Sequence, residues 1–111
     1  VVSIAILRKL ALSFPETTEE PHFEKTSFRV RKKIFSTYDE TTNRACIKLS
    51  AIDQDLFTSV DRTIIFPLDN KWGKQGWTLI DMSKVSSEFF NEALTTAYCE
   101  VAPKKLVAQV R

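Results

Sequence analysis

Seven residues, Lys71-Trp72-Gly73-Lys74-Gln75-Gly76-Trp77, hold both glycines and both tryptophans of a 111-residue chain. Glycine permits a positive φ or a close backbone approach, tryptophan brings a large apolar ring with one N–H donor, and the two lysines keep such a segment in water. A second concentration of chemistry lies upstream, where Lys25, Arg29, Arg31, Lys32 and Lys33 put five positive charges into nine residues. Arg29, Arg31, Lys33, Lys71 and Lys74 are candidates for phosphate contacts, and Trp72 for packing on a base or sugar. Such contacts would hold a nucleic acid without reading its sequence. The plain alternative is that the cations are solvated strand residues and that Trp72 and Trp77 fill the core.

The same inventory argues against catalysis. His22, between Pro21 and Phe23, is the only imidazole, so a histidine base or ligand would have to be this residue. No Gly-x-Ser-x-Gly elbow exists, and Gly73-Lys74-Gln75-Gly76 lacks the spacing of a phosphate loop and precedes a strand pattern. Cys46 and Cys99 have no Cys-x-x-Cys spacing and read as buried thiols of a reducing compartment; no metal or cofactor is expected. A non-enzymatic binding domain is the expectation.

The elements that must position these residues follow from hydrophobic periodicity. Ile4, Leu7, Leu10, Ala11 and Phe14 recur at helical steps and stop before Pro15. Glu16 to Pro21 is polar and aperiodic, the pattern of a connection. From Thr26 the period becomes two: Phe28 and Val30 alternate with Ser27, Arg29 and Arg31, and two further strands are expected over Ile34–Tyr38 and Ala45–Leu49. Ser50 caps a helix running to about Val60, Thr63–Phe66 and Trp77–Met82 make two more strands, and the glycine loop joins them. Phe89, Phe90, Ala93, Leu94, Ala97 and Tyr98 form the stripe of a long helix after Ser86, and Pro103 divides it from a short last one.

This order predicts a single α+β domain, a two-layer sandwich of α-β3-α-β2-α order with a five-stranded antiparallel sheet and helices on one face. If Phe28 and Val30 face the helices, Arg29 and Arg31 face away, and Lys48, alternating with Ile47 and Leu49, joins them. The open face is then basic, although Glu16, Glu19, Glu20 and Glu24 lie close enough in sequence to neutralise it. Trp77 and Leu79 oppose Ile80 and Met82, so one apolar set is left outside and invites a partner. A net charge of +2 decides nothing about that partner. No apolar run approaches the ~20 residues of a membrane span and the start lacks a signal-peptide pattern, so a cytoplasmic protein with no membrane contact is expected.

Several segments carry a resemblance. Ala11-Leu12-Ser13-Phe14-Pro15-Glu16, Glu19-Glu20-Pro21-His22-Phe23, Ser27-Phe28-Arg29-Val30, Lys33-Ile34-Phe35, Trp72-Gly73-Lys74-Gln75-Gly76-Trp77 and Val101-Ala102-Pro103-Lys104-Lys105 together resemble the MmcQ/YjbR family of small bacterial proteins. The resemblance implies a cytoplasmic α-β3-α-β2-α fold and carries the provisional label of a double-wing DNA-binding domain. Members usually have glycine in the first hairpin, where this chain has Arg31-Lys32. DNA is therefore the leading partner, and protein interaction or self-association the alternative; ionic strength separates them, because electrostatic binding weakens with salt and apolar pairing persists.

Overall fold

Residues 1–111 are all described by a computed structural model. Helix α1 (Ile4–Ser13) starts where the Ser3 hydroxyl accepts the Ile6 N–H, and Leu7 and Ala11, one turn apart, are its buried residues. Helix α2 (Ala51–Thr58) starts in the same way, with Ser50 accepting from the Asp53 N–H. Helix α4 (Ser87–Val101) is capped by Ser86, carries Glu88 in its first turn, and buries Phe90, Ala93, Leu94, Ala97 and Tyr98. Pro103 caps the final helix α5 (Lys104–Val110).

The sheet is antiparallel and has six strands, one more than the sequence predicts. They are β1 (Thr17–His22), β2 (Lys25–Val30), β3 (Lys33–Asp39), β4 (Arg44–Lys48), β5 (Ile65–Pro67) and β6 (Trp77–Asp81), arranged β1-β2-β3-β4-β6-β5. The additional strand is β1, in the acidic stretch expected to be a connection. It shows no apolar alternation because its helix-facing side is polar: Glu19, opposite Phe28, accepts two hydrogen bonds from Arg8 of α1, at 2.7 and 3.0 Å. Pro21 fits because β1 is an edge strand, where a missing N–H need break no ladder bond. A four-residue helix, α3 (Lys71–Lys74), also interrupts the glycine loop. The order is thus α-β4-α-β-α-β-α-α in place of α-β3-α-β2-α.

Phe28, Val30, Tyr38, Ala45, Ile47, Ile65 and Ile80 share the face of the sheet that meets α1 and α4. A bulge shapes that face. Phe28 pairs with Ser36 and Arg29 with Ile34, so Phe35 is the extra residue, and Phe35 and Ser36 are both buried. Phe35 projects among Phe14 and Tyr98, with ring centroids 6.2 and 5.5 Å away.

The β2–β3 turn is the one whose type the residues left open. Val30 pairs with Lys33 across Arg31 (φ 49°) and Lys32 (φ 71°), the two left-handed residues of a type I′ turn. Without glycine each carries a backbone cost of roughly 1–2 kcal/mol. Arg31 is steadied there by a two-pronged bond to Glu16, at 2.9 and 3.2 Å.

Bulging leaves the Ser36 hydroxyl as a buried polar group with no hydrogen-bond partner. Deleting the oxygen leaves a methyl group, which removes the desolvation cost and vacates the space of one atom only. Ser36→Ala should raise stability by about 1 kcal/mol, measured as a higher midpoint in chemical denaturation.

Candidate functional site

Both glycines of the loop are demanded by the backbone around them. A Cβ on Gly73 would lie 1.8 Å from the Leu68 carbonyl oxygen, and one on Gly76 would lie 1.8 Å from that of Leu49. Gly76 also has φ +105°, whereas Gly73 lies in α3 and is required by contact alone. Asn70 begins α3 by accepting from the N–H groups of Trp72 and Gly73. The side-chain amide of Gln54, on α2, donates to the Gly73 carbonyl at 2.9 Å and to the Thr78 hydroxyl at 3.1 Å. The loop is clamped between α2 and the sheet, which presents its two tryptophans from a fixed frame.

Those rings meet the sheet on the face turned away from α1 and α4. A groove of about 250 Å³ is lined by His22, Lys25, Ile34, Thr37, Cys46, Leu68, Trp72 and Trp77. It crosses the strands from β1 to β6, four inter-strand steps or about 19 Å. Thr37 and Cys46 are opposite each other in the register and make its floor. Burial pushes the Cys46 thiol up to about 11, so it stays protonated at neutral pH and is a poor nucleophile.

The sequence-predicted site residues divide into two groups. Lys48 is paired with Trp77 across β4 and β6, and its ammonium folds back to the Leu49 carbonyl, 3.3 Å away. Arg29 is paired with Ile34 and leans along β2, donating to the Ser27 hydroxyl at 3.0 Å. Lys71 sits over the Trp72 ring, 5.4 Å from its centroid, a cation–π contact. Lys74 closes α3 beside Gly73. Lys74 lines a neighbouring cavity with Gln54 and Asn70, whereas Arg29, Lys48 and Lys71 adjoin groove residues.

Arg31 and Lys33 fall outside this set. Strand alternation predicted that Arg31 would face outward with Arg29, but β2 ends at Val30 and the left-handed turn directs Arg31 to Glu16. Lys33 pairs with Val30 and so has the parity of the helix-facing side, at the exposed end of the hairpin. Conversely, the groove includes His22 and Lys25, which face each other across the β1–β2 hairpin. The sequence hid this because the strand that carries His22 has no apolar pattern.

The four ion pairs of the molecule are Arg8–Glu19, Arg31–Glu16, Lys84–Asp81 and Arg111–Glu92. Lys25, Arg29, Lys48, Lys71 and Lys74 belong to none of them. Glu20, on the same face, bonds the Thr18 hydroxyl at 2.9 Å.

A family model for YjbR matches residues 12–100. The chain belongs to the YjbR family. The crystal structure of Deinococcus radiodurans protein DR2400, with the family-model domain DUF419, has the same fold: TM-score 0.79 over 94% of this chain and 81% of that one, at 21% identity. A search of curated proteins gave no match. The match to the YjbR model includes the whole glycine loop and every groove residue.

Two predictions concern how this YjbR domain holds its site. Gly73→Ala and Gly76→Ala should each destabilise the fold by about 2 kcal/mol or more, read as a lower denaturation midpoint, because a backbone carbonyl must move in both. The second concerns the Glu16 carboxyl, which Arg31 holds below the ordinary carboxylate range chiefly by hydrogen bonding. A depressed folded-state value contributes stability above the ordinary carboxylate pKa that is lost as pH falls through the depressed one. In Arg31→Gln the Glu16 midpoint should rise in a carboxyl NMR titration, and the stability difference from the parent should vanish in acid.

Proposed function

We propose that this YjbR domain is a non-enzymatic binding domain and that its ligand is DNA, held on the sheet face opposite α1 and α4. The observation that carries the reading is the pairing of groove walls with cations. Lys25 lies opposite His22, Arg29 opposite Ile34 and Lys48 opposite Trp77, and Lys71 covers Trp72. Aromatic rings at the centre and unpaired cations at the margin suit a strand whose bases meet the rings while its phosphates meet the ammonium and guanidinium groups. The double-wing label implied by the resemblance and a cytoplasmic setting fit this reading. Arg31 and Lys33 are left out of the phosphate set, since Arg31 is already matched by Glu16.

Self-association is the second reading, favoured by a different surface. Ile52, Leu56 and Val60 are exposed at four-residue spacing along α2 and just beyond it. The other side of that helix is committed to the fold, with Phe57 against Phe89.

Fluorescence anisotropy with mixed-sequence DNA, single- and double-stranded, at two salt concentrations tests the first reading. Binding should weaken steeply with salt, and Lys25→Ala/Arg29→Ala/Lys71→Ala should flatten the salt slope by about two to three counterions. No binding at low salt would remove DNA as the ligand, and an unchanged triple variant would remove this sheet face as its site. A salt-insensitive dimer in sedimentation would then favour the second reading.

A further inference from the structure

The tip of the β1–β2 hairpin holds a side chain that the fold does not use. Phe23 is 92% exposed, although phenylalanine is ordinarily among the more buried residues. Its φ is +58°, a region that bulky side chains avoid and that glycine or asparagine adopts with little strain. Its one aromatic contact is edge-on to His22, with ring centroids 4.8 Å apart. Of the other left-handed residues in the hairpin turns, Lys32 is an exposed cation with no ring to bury, and the other two are explained locally. Asn43 suits the conformation and accepts from the Tyr38 hydroxyl at 2.7 Å, and Arg31 bonds Glu16. Phe23 alone combines an unrelieved backbone with an unburied ring, and such outliers collect where a ligand is met.

His22 connects that ring to the groove, so Phe23, His22, Trp77 and Trp72 make a series of rings from the hairpin tip to α3. A ring can stack only on a base whose own face is free. In a duplex, the faces of paired bases are covered by their neighbours along the helix, and only edges and phosphates are on offer. Resting on the nucleic-acid reading above, we infer that the site selects unpaired bases, and that Phe23 is the stacking residue at its outer end. Four rings and marginal cations then form a track for a single strand, DNA or RNA, since every base presents a π-face and stacking does not read the sugar.

Trp72 and Trp77 are the only tryptophans of the chain and both line the groove, so selectively excited tryptophan fluorescence reports on this site alone. The full chain is titrated with a short mixed-sequence DNA strand, the RNA strand of the same sequence, and the DNA duplex, at one salt concentration. The single strands should bind about tenfold or more tighter than the duplex and quench the emission. Phe23→Asn should lose about tenfold in single-strand affinity, leave duplex affinity unmoved and raise the melting temperature, because asparagine accepts the left-handed turn. Trp72→Ala, at a half-exposed position, should show the same loss without the thermal gain. A preference for one of the two strands would name the source within the same proposal. Equal or tighter duplex binding without quenching would overturn the single-strand inference while leaving the DNA surface standing, as would unchanged single-strand affinity in Phe23→Asn. Absence of binding to all three would overturn both.

Discussion

Three rings carried by different elements meet on one side of the sheet. Phe14 from the end of α1, Phe35 from the bulge of β3 and Tyr98 from α4 lie within 6.2 Å of one another, centroid to centroid. The Tyr98 hydroxyl donates to the Pro15 carbonyl at 2.7 Å, fastening α4 to the segment that leads into β1. Burying these rings sets which face the helices occupy. Strand alternation then leaves every residue of opposite parity outside, and that set contains Lys25, Arg29, Lys48 and Trp77. The bulge matters because it gives Phe35 the same parity as Ser36 without changing the faces of Thr37 and Cys46 beyond it.

The open face is held by backbone contacts more than by side-chain packing. Leu49 donates its N–H to the Gly76 carbonyl at 2.9 Å, and Leu68 donates to that of Trp77 at 3.1 Å. These bonds, with the Gln54 bridge, draw the loop so close that only glycine fits at two positions. Rings presented from such a frame lose little conformational freedom when they meet a ligand, which is the usual benefit of preorganisation. Positive φ is found elsewhere, at Phe23, Arg31, Lys32 and Asn43 in the hairpin turns and at Glu16 between α1 and β1. Of these, Phe23 is the one that follows a groove residue, His22, so one end of the groove is set by close packing around the loop and the other by turn geometry.

Much of this was legible from residue order. The serine caps at positions 50 and 86, the Pro15 and Pro103 boundaries, the parity of Phe28 and Val30 and the clustering of glycine with tryptophan each express a local rule acting within a few residues. What escaped was whatever depends on a distant partner. β1 shows no pattern because an arginine eleven residues earlier covers its inner side. Arg31 continues the alternation of β2 in sequence only, because the strand ends at Val30 and the direction of the side chain depends on Glu16.

The sequence by itself determined the kinds of elements, most of their limits, the α+β class and the gathering of both glycines and both tryptophans in one seven-residue loop, because propensity, capping and periodicity are local. The tertiary structure alone decided which cations share a sheet face with that loop. His22 and Trp77 share a groove although 55 positions separate them, because β4 carries the sheet from the β1–β2–β3 hairpins to β6. Strand neighbours and register are set by packing between distant segments, and no short-range pattern encodes them.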